Sequence, residues 1–190
     1  LFAAFGNQSV YTYKVAAPIV LIEDALIQRL GQIAGLVQSP KRCGGIFTPG
    51  GSLSNLTAML CARDQAQPSW REEGMIMGRI YTSAEAHYSV SKGAGIVGIG
   101  RNNVVKVPCD EQGSMKSSDL QQAIEQDLTQ GLKPVMVIAT AGTTVRGSFD
   151  PFVEIAQVCK KYNIWFHVDG AFGGTALWHS CFAEQVKGIG

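Results

Sequence analysis

Four short polar turns hold the residue types able to do chemistry. Pro49-Gly50-Gly51-Ser52 leads into a helical stretch, Glu85-Ala86-His87-Tyr88 and Ala141-Gly142-Thr143-Thr144 each follow a β-rich run, and His167-Val168-Asp169-Gly170-Ala171 ends another. A Gly-Gly-Ser turn before a helix exposes backbone N–H groups at the positive helix end, with the Ser52 hydroxyl as a further donor, and so suits a phosphate. The same turn serves equally as a chain reversal with a serine cap. His87 alone reads as a surface or packed residue, and His167, alternating with Phe166 and Val168, reads as structural. Asp169 is different. It directly follows Trp165-Phe166-His167-Val168 at the edge of a buried strand, where an unpaired carboxylate is costly. Lys160-Lys161 precede it by most of a strand, so a ligand cation becomes the candidate partner.

The elements that must position these turns alternate along the chain. β-rich runs are expected at 45–48, 77–82, 103–107, 134–140 and 164–168, and helices at 54–63, 88–97, 118–128 and 151–162. This spacing implies parallel strands joined by crossover helices, hence an α/β fold. Val135-Met136-Val137-Ile138-Ala139 is apolar throughout, as a strand covered on both faces should be. The last helix is the best signalled: Asp150 as cap, Pro151 in the first position, and an apolar face of Phe152, Ile155, Ala156 and Cys159. Ahead of these units, an opening segment with Phe2, Phe5, Tyr11 and Tyr13 shows no period, and a helix is expected over 19–34. Open parallel sheets bind ligands at the carboxyl ends of their strands, so the four turns are expected on one rim.

Composition narrows the function classes. With 190 residues and 46% hydrophobic content the chain has ample core for one domain or a piece of one. Charged residues reach only 16%, below the usual level of about 25%, so much of the surface is expected to face other protein. A net charge of +1 removes the electrostatic case for nucleic acid or an acidic membrane surface. No apolar run approaches the roughly 18 residues of a spanning helix. Five scattered cysteines, an odd number without a CxxC pair, argue for reduced thiols and a cytoplasmic setting. The chain starts at Leu1 and reads as an interior fragment, with an N-terminal segment and connecting helix at 1–35 and a partial large domain at 36–190.

Two motifs compete for a function. Gly93-Ala94-Gly95-Ile96-Val97-Gly98 matches the dinucleotide fingerprint literally, yet Tyr88-Ser89-Val90-Ser91-Lys92 before it is no hydrophobic strand, so close helix packing is favoured. Three histidines without HExxH give no metal constellation, and no metal is expected.

At its motifs the sequence resembles the pyridoxal-phosphate-dependent group II amino-acid decarboxylases, in the glutamate, cysteine-sulfinate and aspartate branch. The stretches that carry this are Gly45-Ile46-Phe47-Thr48-Pro49-Gly50-Gly51-Ser52-Leu53-Ser54-Asn55, His87-Tyr88-Ser89-Val90-Ser91-Lys92-Gly93-Ala94, Ala139-Thr140-Ala141-Gly142-Thr143-Thr144 with Gly147-Ser148-Phe149-Asp150-Pro151, and Ile164-Trp165-Phe166-His167-Val168-Asp169. Tyr11-Thr12-Tyr13 before Ala17-Pro18 is similar as well. The likeness covers nearly the whole chain in order.

The resemblance implies the large domain of the fold-type I, aspartate aminotransferase-like fold: a mostly parallel sheet with helices on both faces. It implies pyridoxal 5'-phosphate as cofactor, a small acidic L-amino acid as substrate, and a homodimer. Gly51 and Ser52 would hold the phosphate, His87 would stack on the ring and orient the substrate carboxylate, Ala171 would pack the opposite face, Thr144 would contact the cofactor, and Asp169 would pair with the protonated ring nitrogen. Gly170 and Phe172 depart from the family, which usually has alanine and then tryptophan or tyrosine. The cofactor-bonding lysine follows an Asn-Pro-His stretch in the family. Lys187 lacks that context, so the lysine is expected beyond Gly190. An aminotransferase or lyase on the same fold, a nucleotide-dependent oxidoreductase, and an inert interaction piece are the alternatives.

Overall fold

The computed structural model describes residues 9, 12–36 and 42–190. Phe2, Phe5 and Tyr11 lie outside the described residues. The chain divides into two compact units, residues 1–47 with Gly190, and 48–189.

In the first unit Thr12 caps α1 (Tyr13–Ala16), its side chain accepting from the Lys14 N–H at 3.3 Å. α2 (Pro18–Ile33) has proline in its first turn, where the missing N–H costs nothing, and occupies the stretch expected to be helical. The run at 45–48 is not a strand. Side chains of α2 take the bonds a ladder would need: Glu23 accepts from the Phe47 N–H at 2.9 Å, and Gln28 holds Cys43 from both sides at 2.7 and 2.8 Å.

The second unit is built on four parallel strands in the order β2-β1-β3-β4: β1 (Gly78–Ser83), β2 (Val104–Val107), β3 (Lys133–Thr140) and β4 (Trp165–Asp169). α3 (Gly51–Ala66) and the short α4 (Trp70–Glu73) precede the sheet, and α5 (Ser89–Ile96), α6 (Ser117–Thr129) and α7 (Phe152–Tyr162) make the crossovers. α3 begins three residues before its expected start, because the Gly50 carbonyl already accepts from the Leu53 and Ser54 N–H groups.

Strand alternation sorts the core into two layers. Tyr81, Val137 and Ala139 pack with Leu120 and Ile124 of α6 and with Phe152, Ile155 and Cys159 of α7. Ile80, Met136 and Ile138 pack with Met59 and Ala62 of α3 and with Val90 and Ala94 of α5. Helices on both faces explain why β3 is apolar at every central position. Each side chain buried as fully as Ile138 or Leu120 contributes about 1.5–3 kcal/mol over leaving it exposed.

Two local expectations are corrected. Asp150 does not cap α7; its carboxylate accepts from the Met115 and Thr140 N–H groups, both at 2.7 Å, and so ties the loop after β3 to the segment before α6. On α7, Val158 is buried with Phe152, Ile155 and Cys159, while Ala156 is only half-buried. The glycine fingerprint at 93–98 lies largely within α5, where a Cβ on Gly93 would stand 3.1 Å from the Met59 sulfur. Gly93 serves helix packing, and the dinucleotide reading loses its turn.

Candidate active site

The chain leaves β1 toward β2 on one side, and β3 then enters on the other side. The sheet therefore has a switch point between β1 and β3, where open α/β sheets form their ligand crevice. A cavity of about 240 Å³ opens there, somewhat below the roughly 300–1,000 Å³ of sites for drug-sized ligands. Gly51, Ser52, His87, Thr144, Asp169 and Ala171, six residues singled out in the sequence, all line it. Asn55, Ser89, Thr140 and Gly142 line it too, together with Phe172.

β4 delivers the carboxylate by simple alternation. Phe166 and Val168 join the α6–α7 core, so Trp165, His167 and Asp169 point to the α3 side. Asp169 is 8% exposed. Its Oδ1 accepts from the Ala171 N–H at 3.1 Å and its Oδ2 from Asn55 Nδ2 at 2.8 Å. No cation meets it among the described residues; a carboxylate has about four acceptor positions, so capacity remains for one more donor.

The other turns bring donors. At the start of α3, Gly50 has φ 117° and ψ 158°, a conformation that favours glycine. The N–H groups of Gly51 and Ser52 donate to no acceptor among the described residues and sit at the positive helix end. His87 is held by Ser89, whose backbone N–H donates to Nδ1 at 3.2 Å and whose hydroxyl lies 2.8 Å from the same atom. In the loop after β3, Thr143 is buried and its hydroxyl accepts from the Ser148 N–H at 3.1 Å, which leaves Thr144 exposed at the cavity. The buried Thr140 hydroxyl lines the cavity without a hydrogen-bond partner.

His167 is structural in part only. Its Nε2 lies 2.9 Å from Asn55 Oδ1, and burial pushes its pKa down, more than the neighbouring Asp169 charge pulls it up. At Gly170 a Cβ would stand 3.1 Å from the Gly174 Cα, so the departure from alanine accompanies a close approach of the next turn. Lys187 is exposed, lies 3.9 Å from Glu184, and does not line this cavity.

Sequence reasoning passed over Asn55 as a site residue, although it follows Ser52 by three positions and so shares its side of α3. Nothing in the sequence pairs it with β4.

Residues 1–190 match the pyridoxal-dependent decarboxylase conserved domain. The chain belongs to that decarboxylase family. It is 44% identical over 186 residues to the mouse (Mus musculus) acidic amino acid decarboxylase GADL1, covering 96% of this chain and 33% of that protein. The human (Homo sapiens) protein of the same name is 40% identical, with 96% and 35% covered. Among solved structures, mouse CSAD superposes with a TM-score of 0.92 at 39% identity, over 98% of this chain and 39% of that one. A Vibrio parahaemolyticus structure titled as the glutamate decarboxylase domain of diaminobutyrate-pyruvate transaminase and L-2,4-diaminobutyrate decarboxylase gives 0.89 at 31%, over 98% and 42%. This decarboxylase-family chain thus spans about a third of the length of the curated relatives it matches.

The cavity's residues fit the group that names the family. Two free N–H groups and a serine hydroxyl suit a phosphate, a buried carboxylate without a cation suits a protonated ring nitrogen, and the unpartnered Thr140 hydroxyl suits a polar ligand atom.

Proposed function

We propose that this chain forms the cofactor-binding part of a pyridoxal-phosphate-dependent decarboxylase that converts a small acidic L-amino acid to its amine and carbon dioxide. The observation that carries the reading is the meeting of Asp169, His87 and the Gly51-Ser52 helix start around one cavity. When bound, pyridoxal phosphate supplies an electron sink for the electron pair left by departing carbon dioxide.

The chain's own residues do the rest. The Gly51 and Ser52 N–H groups, with the Ser52 hydroxyl, hold the phosphate. The Asp169 carboxylate would keep the proton on the ring nitrogen, since an adjacent negative charge favours the charged form of a base. His87 would cover one ring face and orient the substrate carboxylate, Ala171 would pack the other face, and Thr144 would contact the cofactor. Orientation of the scissile bond is worth most in the transition state. The acidic substrate class is supported by the names of the GADL1 relatives. A homodimer is supported by the low charge content, and a cytoplasmic setting by the odd, scattered thiols.

The test is the purified full-length protein. We expect pyridoxal phosphate to bind, NAD to leave no trace of binding, and carbon dioxide to be released from at least one of aspartate, glutamate and cysteine sulfinate. Amino-group transfer to a keto acid without carbon dioxide release would give the site to an aminotransferase instead.

A further inference from the structure

Asn55 sits where the hydrogen bonds of the cavity cross. It is 2% exposed. Its Nδ2 donates to Asp169 Oδ2 at 2.8 Å and to Ser89 Oγ at 3.2 Å, and its Oδ1 lies 2.9 Å from His167 Nε2. These contacts fix the protons around it. An ionised Asp169 only accepts, so the amide NH₂ faces it and the amide oxygen faces His167. His167 therefore carries its proton on Nε2. On the other side, Ser89 Oγ accepts from Asn55 and its own hydrogen is free to point at His87 Nδ1, 2.8 Å away. The Ser89 N–H converges on the same nitrogen at 3.2 Å. With Nδ1 the acceptor, a neutral His87 carries its proton on Nε2.

We propose that Asn55 is a positioning residue for the decarboxylation proposed above, on which this inference rests: it aims the Asp169 carboxylate and, through Ser89, holds His87 as the Nε2–H tautomer. Asparagine suits both tasks because it donates to a carboxylate and accepts from a histidine within one short side chain. An apolar residue would leave Asp169 short of a donor. A carboxylate would set like charges against each other.

The titratable groups facing Asn55 are Asp169 and His167 on β4 and, through Ser89, His87 in the turn after β1. Two variants separate positioning from packing. Asn55→Asp keeps the shape, whereas Asn55→Ala removes it. A space-filling role predicts that Ala is the damaging change. Positioning predicts the reverse, because a second carboxylate beside Asp169 sets two like charges against each other at neutral pH and draws the Ser89 hydroxyl away from His87.

In the full-length holoenzyme at neutral pH, kcat is expected to fall about tenfold in Asn55→Ala and about a hundredfold in Asn55→Asp, with substrate KM within about threefold. The activity of Asn55→Asp is expected to recover toward acid pH as the pair takes up its proton. Nitrogen NMR of the histidines in the full-length protein stripped of cofactor gives a readout free of turnover. His87 and His167 should both appear as Nε2–H tautomers in the parent, and His167 should titrate higher in Asn55→Asp. An Asn55→Asp enzyme as active as the parent, or a parent His87 protonated on Nδ1, would overturn the proposal. Failure of the parent to bind pyridoxal phosphate would instead sink the functional reading, and the tautomers would still show whether the hydrogen-bond arrangement holds.

Discussion

A methyl group on Gly51 would stand 2.8 Å from the methyl of Ala171. The first residue of α3 and the turn after β4 thus meet through their smallest side chains, and this contact sets how closely the two walls of the cavity approach. The requirement for glycine at 51 is steric, whereas at Gly50 it is the backbone conformation, φ 117°. Replacing Gly51 by alanine is therefore expected to cost about 1–3 kcal/mol of stability, the usual range for overpacking, and to weaken cofactor retention. Adding Ala171→Gly to the same chain should recover most of the stability. Thermal unfolding of the full-length single and double variants measures this, and an unrescued double variant would show that another contact sets the limit.

Asp169 accepts two hydrogen bonds, from Ala171 N–H and from Asn55 Nδ2. Asp169→Asn turns one acceptor into a donor and withdraws the charge proposed to hold the ring proton. Asp169→Glu keeps the charge and displaces it by one methylene. Turnover is expected to fall in the order parent, Glu, Asn, with Asn losing about a hundredfold or more, as when a preorganised electrostatic contact is removed. Single-turnover measurements give the order; an active Asn variant beside a dead Glu variant would leave Asp169 only a structural role through its bonds to Ala171 and Asn55.

His87 is tied through Nδ1 alone among the described residues, with its ring centroid 4.2 Å from that of Tyr88. His87→Ala is expected to lower kcat about a hundredfold while changing cofactor affinity far less, because orientation of the substrate counts mainly in the transition state. Steady-state kinetics beside a cofactor titration reports the two effects separately. Equal losses in both would make His87 a binding residue only.

Burial pushes Asp150 up to about 6, outweighing the two backbone N–H bonds that pull it down. An unfolded aspartate titrates near about 3.9. Between these values the folded chain keeps a proton that the unfolded chain has released. Its contribution to stability is therefore complete below about pH 4, declines by about 3 kcal/mol as pH rises to about 6, and is level above that. Asp150→Asn should be less stable than the parent at about pH 4, since one N–H of Met115 or Thr140 loses its acceptor, and should lack this decline. Its deficit relative to the parent should shrink as pH rises. Urea unfolding at about pH 4 and about pH 7 checks the sign.

Much of this protein was legible in its sequence because the relevant physics is local. Alternation in 164–168 shows that Asp169 ends a strand, apolar runs show that β3 is covered twice, and the Gly-Gly-Ser turn marks a helix start nearby without deciding between a phosphate site and a plain capped turn. The carboxyl-end rule places the turns after β1, β3 and β4 on one rim, and the Gly50-Gly51-Ser52 turn reaches the same cavity although no strand precedes it among the described residues. Local rules failed where a distant side chain took over a backbone task. Glu23 and Gln28 hold the chain around 43–47 as no strand would be held, and Asp150 serves Met115 and Thr140 rather than its own helix. Only the folded chain decided the inner connections of the site. Asn55 and Asp169 are 114 residues apart, and periodicity says which face a residue occupies but not which residue of another element stands opposite. The sheet order that sets β4 beside β3, and packs α3 over both, is what turns an unremarked asparagine into the partner of the buried carboxylate.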